Sequence, residues 1–138
     1  MTRSTLLLAM VLALPVPARA AGIPLLDAGG GSHGSVSLNL GRGLVTLKIT
    51  SLAPLPADVS TGTETFTAHL YKAYLSSSAD AAVEIFLGDV YPSAKQRAKR
   101  KAALGGDVSR MGFDRVTVAA FSKDGQKSFD VLTASLAP

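Results

Sequence analysis

Apolar and polar residues alternate most cleanly between Gly34 and Leu52. Val36, Leu38 and Leu40 alternate with Ser35, Ser37 and Asn39; Val45, Leu47 and Ile49 alternate with Thr46, Lys48 and Thr50. A period of two turns one side of each run toward a core and the other toward water, as a half-buried β-strand does. Gly41-Arg42-Gly43 joins the runs, so the stretch predicts a β-hairpin with a bulge at its turn. Pro54 and Pro56 end the second strand, and Asp58–Thr63 continues as a loop of turn-forming residues.

The same period recurs downstream. Glu64–Ser76 reads as a third strand in which Phe66, Ala68 and Leu70 share one parity and Tyr71, Ala73 and Leu75 the other. A parity switch inside one strand predicts a β-bulge near Leu70–Tyr71, or a strand that changes sheets. Ser76–Ala81 is a turn. Ala82–Tyr91 is a fourth strand in which Gly88 marks a bulge or bend, and Pro92 stops it. Gly112–Ser122 and Lys127–Leu136 are further strands, joined by a hairpin turn that carries Asp124-Gly125.

One stretch pulls two ways. Ser93–Gly106 has a capping Ser93, a run of strong helix formers and a closing Gly105. Its only helical stripe is Ala94, Ala98 and Ala102, which is thin for docking. As a strand it places Ala98, Ala102 and Leu104 on one face, together with Arg100. The all-β surroundings favour a strand over 93–104, whereas local propensity favours a helix. Seven strands in this spacing predict an all-β fold, a two-sheet antiparallel β-sandwich of immunoglobulin-like type.

The N-terminus changes the compartment. Arg3 precedes the unbroken apolar run Leu6–Leu14, nine residues long, about half of the roughly 20 that span a bilayer. Pro15 and Pro17 follow, then Ala18-Arg19-Ala20, with small residues where a signal peptidase needs them. The domain plan is therefore a cleavable signal peptide over 1–20, a flexible Gly-rich arm over 21–33, and a β-sandwich domain over 34–138. This plan places the protein in the secreted, periplasmic or cell-surface space, with no transmembrane anchor after cleavage. Cysteine is absent, so the domain holds together by packing alone, and thiol catalysis, thiolate metal sites and a lipidated cysteine are excluded. That composition fits an exported bacterial protein.

Charge is localised. The whole chain carries a net charge of +4. Without Arg3 and Arg19, twelve basic residues face ten acidic ones. Five of the twelve are Lys95, Arg97, Lys99, Arg100 and Lys101, so a basic strip lies on a mildly acidic body.

Several phrases together, SVSLNLGRGLVTLKITSLAPLP, YKAYL, FLGDVYP and GFDRVTVAAF, resemble the extracytoplasmic C-terminal domain of bacterial anti-sigma-K factors and its stand-alone secreted relatives. In that group a hairpin leads to a Gly-Leu-Pro-like loop, followed by a Tyr-x-Ala-aromatic-Leu strand, a Leu-Gly strand and a Phe-Asp-x-Val strand; here those elements map to Val36–Pro56, Tyr71–Leu75, Leu87–Tyr91 and Phe113–Val118. The resemblance implies a β-sandwich outside the cytoplasm and hands over no ligand and no active-site residue. The anti-sigma factors carry a sigma-binding segment and a membrane helix ahead of this domain. Here a signal peptide stands in that place, so restraint of a sigma factor in cis is not expected. Arg100, on the inward parity, departs from the apolar residue expected there.

No catalytic constellation is legible. His33 and His69 stand alone, whereas a metal site needs three or four convergent ligands. No Gly-x-Ser-x-Gly is present. The carboxylates Glu84, Asp89, Asp114 and Asp130 read as solvated strand-face or turn residues, and Gly29–Gly31 lacks the Lys-Ser/Thr of a phosphate loop. The protein is expected to be non-catalytic and to carry no cofactor and no metal. Two readings of function remain. One is a structural, assembly or protein-interaction role, through self-association or an extracytoplasmic protein partner, with the 21–33 arm adding a strand to a neighbour and Tyr74 as a candidate contact. The other is a module in which the Lys95–Lys101 strip holds an acidic surface ligand, a polysaccharide or a lipid headgroup. Lysines on an exposed edge strand also block aggregation, which is the plainer use of the same residues. Nucleic acid is not expected, because no aromatic residues interleave with the charges to stack on bases.

Overall fold

The computed structural model describes residues 19–136. The signal-peptide reading thus falls outside the described residues, apart from Arg19 and Ala20. Among the described residues every regular element is a β-strand: β1 (Arg19–Leu26), β2 (Ser32–Asn39), β3 (Leu44–Ile49), β4 (Ala57–Ser60), β5 (Thr65–Ser76), β6 (Glu84–Val90), β7 (Ala98–Ala103), β8 (Arg115–Ser122) and β9 (Ser128–Ser135). The predicted hairpin is β2–β3, paired from Gly34–Ile49 to Asn39–Leu44. The ambiguous 93–104 stretch contains β7, a strand, as its surroundings favoured over its propensity.

Two of the nine strands, β1 and β4, have no counterpart in the pattern. Segment 21–33, expected as a flexible arm, is largely strand. Most of it is built into β1 and the start of β2, and β1 lies inside the sheet between β2 and β9. Its alternation is broken at Gly22, which has a φ of 71°, and at Pro24, with register shifts on either side of Ile23–Pro24. The glycine run is an ordered turn: the Asp27 carboxylate accepts from the backbone N–H of Gly29 and of Gly31, both at 2.9 Å. One acceptor shared by two donors fixes a segment that composition alone leaves free.

All nine strands form one antiparallel sheet, ordered β4-β5-β8-β9-β1-β2-β3-β7, with β6 also on β5. The sheet curls into a half-barrel, which replaces the expected two-sheet sandwich of seven strands. The reason lies in β1. Without it the strands fall into two groups, β4, β6, β5, β8 and β9 on one side and β2, β3 and β7 on the other. β1 bridges them, pairing along β2 and touching β9 through Leu26 and Thr133.

Predicted bulges lie where the parity breaks. The β5–β8 register shifts between Ala68 and Leu70, and the β5–β6 register shifts beside Gly88, where Ala73 pairs with Gly88 and Tyr74 with Phe86. Bulges increase local twist and bend a strand, which suits a curled sheet. The concave side holds the core, with Leu25, Val36, Leu47, Ile49, Tyr71, Leu75, Val116 and Val118 almost wholly buried. Tyr71 satisfies its hydroxyl by donating to the Ala53 carbonyl at 2.9 Å. Phe113, expected in a strand, packs into the core from the loop before β8.

A basic outer face on β3 and β7

Strand β7 hydrogen-bonds to β3, and the register decides where each basic residue points. Lys99 sits opposite Lys48, Lys101 opposite Thr46, and Arg100 opposite Leu47. Leu47 is buried in the core, so Lys48, Lys99 and Lys101 share the outer face, whereas Arg100 has the inward parity. The predicted strip therefore divides. Lys95 stands exposed in the turn between Ser93 and Arg97, which closes with the Gln96 N–H on the Ser93 carbonyl at 2.8 Å. Arg97 leads into β7 and its side chain is exposed. Arg100 leaves the strip: its Nε–H donates to the Leu87 carbonyl on β6 at 3.2 Å.

Lys48 joins the strip from β3, and sequence reasoning missed it. Its place on the polar parity of β3 was legible; its β7 partner was not, because nearly fifty residues separate the two strands in the chain. Lys48, Arg97 and Lys99 border a groove of about 530 Å³ that also touches Thr50 and Ala98. The outer face continues over β2 through Ser35, Ser37 and Asn39, paired with Lys48, Thr46 and Leu44. None of the ten acidic residues lies in β1, β2, β3 or β7. Acidic residues sit instead on β4, β6 and β9 and in the loops. Charge is thus segregated along the sheet order, with one half of the outer face basic and hydroxyl-rich.

A clasp holds the end of this face. His33 of β2 places Nδ1 at 2.8 Å from the Ser51 carbonyl and Nε2 at 2.6 Å from the Asp27 carboxylate. Both partners accept, so the protonated ring, which donates from both nitrogens, satisfies both contacts. The hydrogen bond to Asp27 raises the His33 pKa above its ordinary value, and the bond to His33 lowers that of Asp27. His69 is exposed on β5, with Nδ1 3.4 Å from the Thr67 carbonyl. Among the described residues no group of three His, Asp or Glu side chains converges as metal ligands.

Tyr74 lies across the sheet from the basic face, half-buried on the outer side of β5, its ring tilted at 52° to that of Phe86 with centroids 5.6 Å apart. Asp114 is a loop fastener, accepting from the Ser78 N–H at 2.9 Å. Comparison with protein-family models, with curated proteins and with solved structures gives no match.

Proposed function

We propose that the protein is a non-catalytic binding domain of the extracytoplasmic space, and that its β3–β7 outer face holds an acidic polysaccharide. The observation that carries this reading is the Lys48–Lys99 pair. Like charges directly opposite on neighbouring strands destabilise a sheet. This pair has Lys101 and Arg97 beside it and no carboxylate on its four strands. A fold that keeps such a conflict gains from it elsewhere, as binding sites do. Anionic groups spaced along a polymer neutralise the row, and the hydroxyls of Ser35, Ser37 and Thr46 meet the sugar hydroxyls between them. Edge protection alone accounts for Lys99 and Lys101 but not for Lys48, which lies on an interior strand. The extracytoplasmic placement rests on the Leu6–Leu14 leader and on the resemblance to the anti-sigma-K extracytoplasmic domain.

Ala21–Leu26 occupies a place in the sheet, so strand addition through the 21–33 segment would need that strand to leave it. The test is binding of the purified protein to alginate, with dextran and phosphatidylglycerol vesicles in parallel. Charge-led binding weakens steeply with salt. The expected result is salt-sensitive binding to alginate, none to dextran, and a loss of tenfold or more in the K48T/K99T/K101T variant. Preference for the vesicles transfers the site to a lipid headgroup, and unchanged alginate binding by the triple variant overturns the proposal.

A further inference from the structure

The opposite half of the sheet carries a second cleft with different chemistry. It has a volume of about 230 Å³ and lies over the outer side of β8, small beside the roughly 300–1,000 Å³ of drug-sized pockets. Its floor is Thr117 and Ala119, which face outward yet are only 6% and 4% exposed. Tyr74 and Phe121 rise as its aromatic rims. Arg115 and Glu84 stand at one end and Asp130 at the side of the other. The pairings fix this layout: Ser76 lies beside Glu84 on one edge and Arg115 on the other, and Ala119 lies beside Asp130.

Three charged groups of both signs thus border one small cleft. Among the described residues the ion pairs are His33–Asp27 and Lys127–Glu64, so Arg115, Glu84 and Asp130 have no ionic partner within 4 Å. Arg115 is instead steadied by Ser76, whose Oγ lies 3.5 Å from its Nε. Arg115 and Ala119, which pairs with Asp130, lie four positions apart on β8, about 13 Å at the rise of a strand. Side chains of a strand stand roughly perpendicular to the sheet, so guanidinium and carboxylate are held apart by about the length of a short peptide.

We infer that this cleft binds a short peptide with free ends. Its terminal carboxylate pairs with the Arg115 guanidinium, a planar fork suited to that group. Its ammonium lies at Asp130. Its apolar side chain rests against the Tyr74 and Phe121 rings; Lys72 Nζ stands over one face of the Phe121 ring, 5.0 Å from its centroid. This site is separate from the basic face and does not depend on it.

Isothermal titration with alanyl-phenylalanine, its N-acetyl form and its C-terminal amide tests the inference. The free dipeptide is expected to bind at least tenfold more tightly than either blocked form. R115Q is expected to bind the free acid and the amide alike, and D130N to bind the free amine and the acetylated form alike. Thermal melting of each variant separates a lost contact from a lost fold. The K48T/K99T/K101T variant is expected to bind the dipeptide unchanged. Equal affinity for free and blocked peptides, absence of binding by the free dipeptide, or full discrimination in folded R115Q and D130N overturns the inference.

Discussion

Arg100 of β7 reaches across to β6 and donates from Nε to the Leu87 carbonyl at 3.2 Å. Its guanidinium lies where the side chain of Gly88 would be, so that a Cβ on Gly88 would overlap it. β6 and β7 stand at opposite ends of the strand order, so this contact joins the ends of the curled sheet. It also explains a charged residue on the inward parity. Gly88 has a φ of 130°, a conformation that L side chains rarely adopt. G88A is expected to destabilise the protein by about 1–3 kcal/mol through backbone strain and displacement of Arg100. R100A, which removes a part-exposed charge-assisted bond, is expected to cost about 1 kcal/mol. Because both act on one contact, the double variant should lose less than the sum, by about 0.5 kcal/mol or more. Urea melts of the four proteins measure this, and strict additivity would show that the seam is not held by this pair.

The His33–Asp27 clasp predicts a pH window. The His33 pKa is raised above 6.5 in the folded protein. Folding therefore favours the protonated ring; this stability is complete below about pH 6.5 and is lost as pH rises through the raised value. Asp27 is lowered below 3.8, so its contribution is present above that value and is lost as pH falls through the lowered one. The clasp is strongest between those limits. Melting temperature should fall on the alkaline side of pH 6.5 more steeply in the native protein than in H33N. D27N should flatten that limb as well, since it removes the acceptor that raises His33. Parallel curves for native and H33N proteins would assign the pH dependence elsewhere.

The alternation of Val36–Leu40 and Val45–Ile49 made the β2–β3 hairpin legible, since each strand has a wet face and a dry one. Gly88 and the parity switch at Leu70–Tyr71 made two bulges legible for the same reason. What failed was one strand. Gly22 and Pro24 break the alternation of β1, and a glycine run follows, so the segment reads as a loose arm. Its misreading carries the rest with it, for β1 is the strand that turns two groups into one sheet. β4 was hidden by its length of four residues between prolines and a glycine turn. At the sites, composition found Lys95–Lys101, but pairing between distant strands decides that Lys48 joins the strip and Arg100 leaves it. The same holds for Glu84, Arg115 and Asp130, which only the order β6-β5-β8-β9 brings around one cleft.

The like-charge pair predicts a trade between stability and binding. K99T removes the charge facing Lys48 and introduces a residue with high strand propensity. At low salt it should stabilise the fold by about 0.5 kcal/mol, a gain that shrinks as salt screens the native pair. The same change should weaken alginate binding. Melting curves at two ionic strengths, beside binding curves under the same conditions, provide the check. A K99T protein less stable than the native one at low salt would mean that Lys99 makes a stabilising contact rather than a costly one.

The placement of β1 between β2 and β9 separates a strand from an arm by truncation. A chain starting at Ala21 lacks only Arg19 and Ala20 of β1 and keeps Leu25, which is wholly buried, and the Asp27 turn. It should fold with a melting temperature close to that of the full chain. A chain starting at Ser32 loses Leu25, the bridge to Thr133 and the acceptor of His33 together. Burying a leucine of this kind is worth about 2–5 kcal/mol in truncation experiments, a large part of the roughly 5–15 kcal/mol that holds a domain of this size. Exposed edges on β2 and β9 are added to that loss. The shorter chain should therefore be unfolded or aggregated at room temperature by circular dichroism and light scattering. A monomeric, cooperatively melting chain from Ser32 onward would return segment 21–31 to the status of a dispensable arm, and with it the possibility of strand exchange between copies.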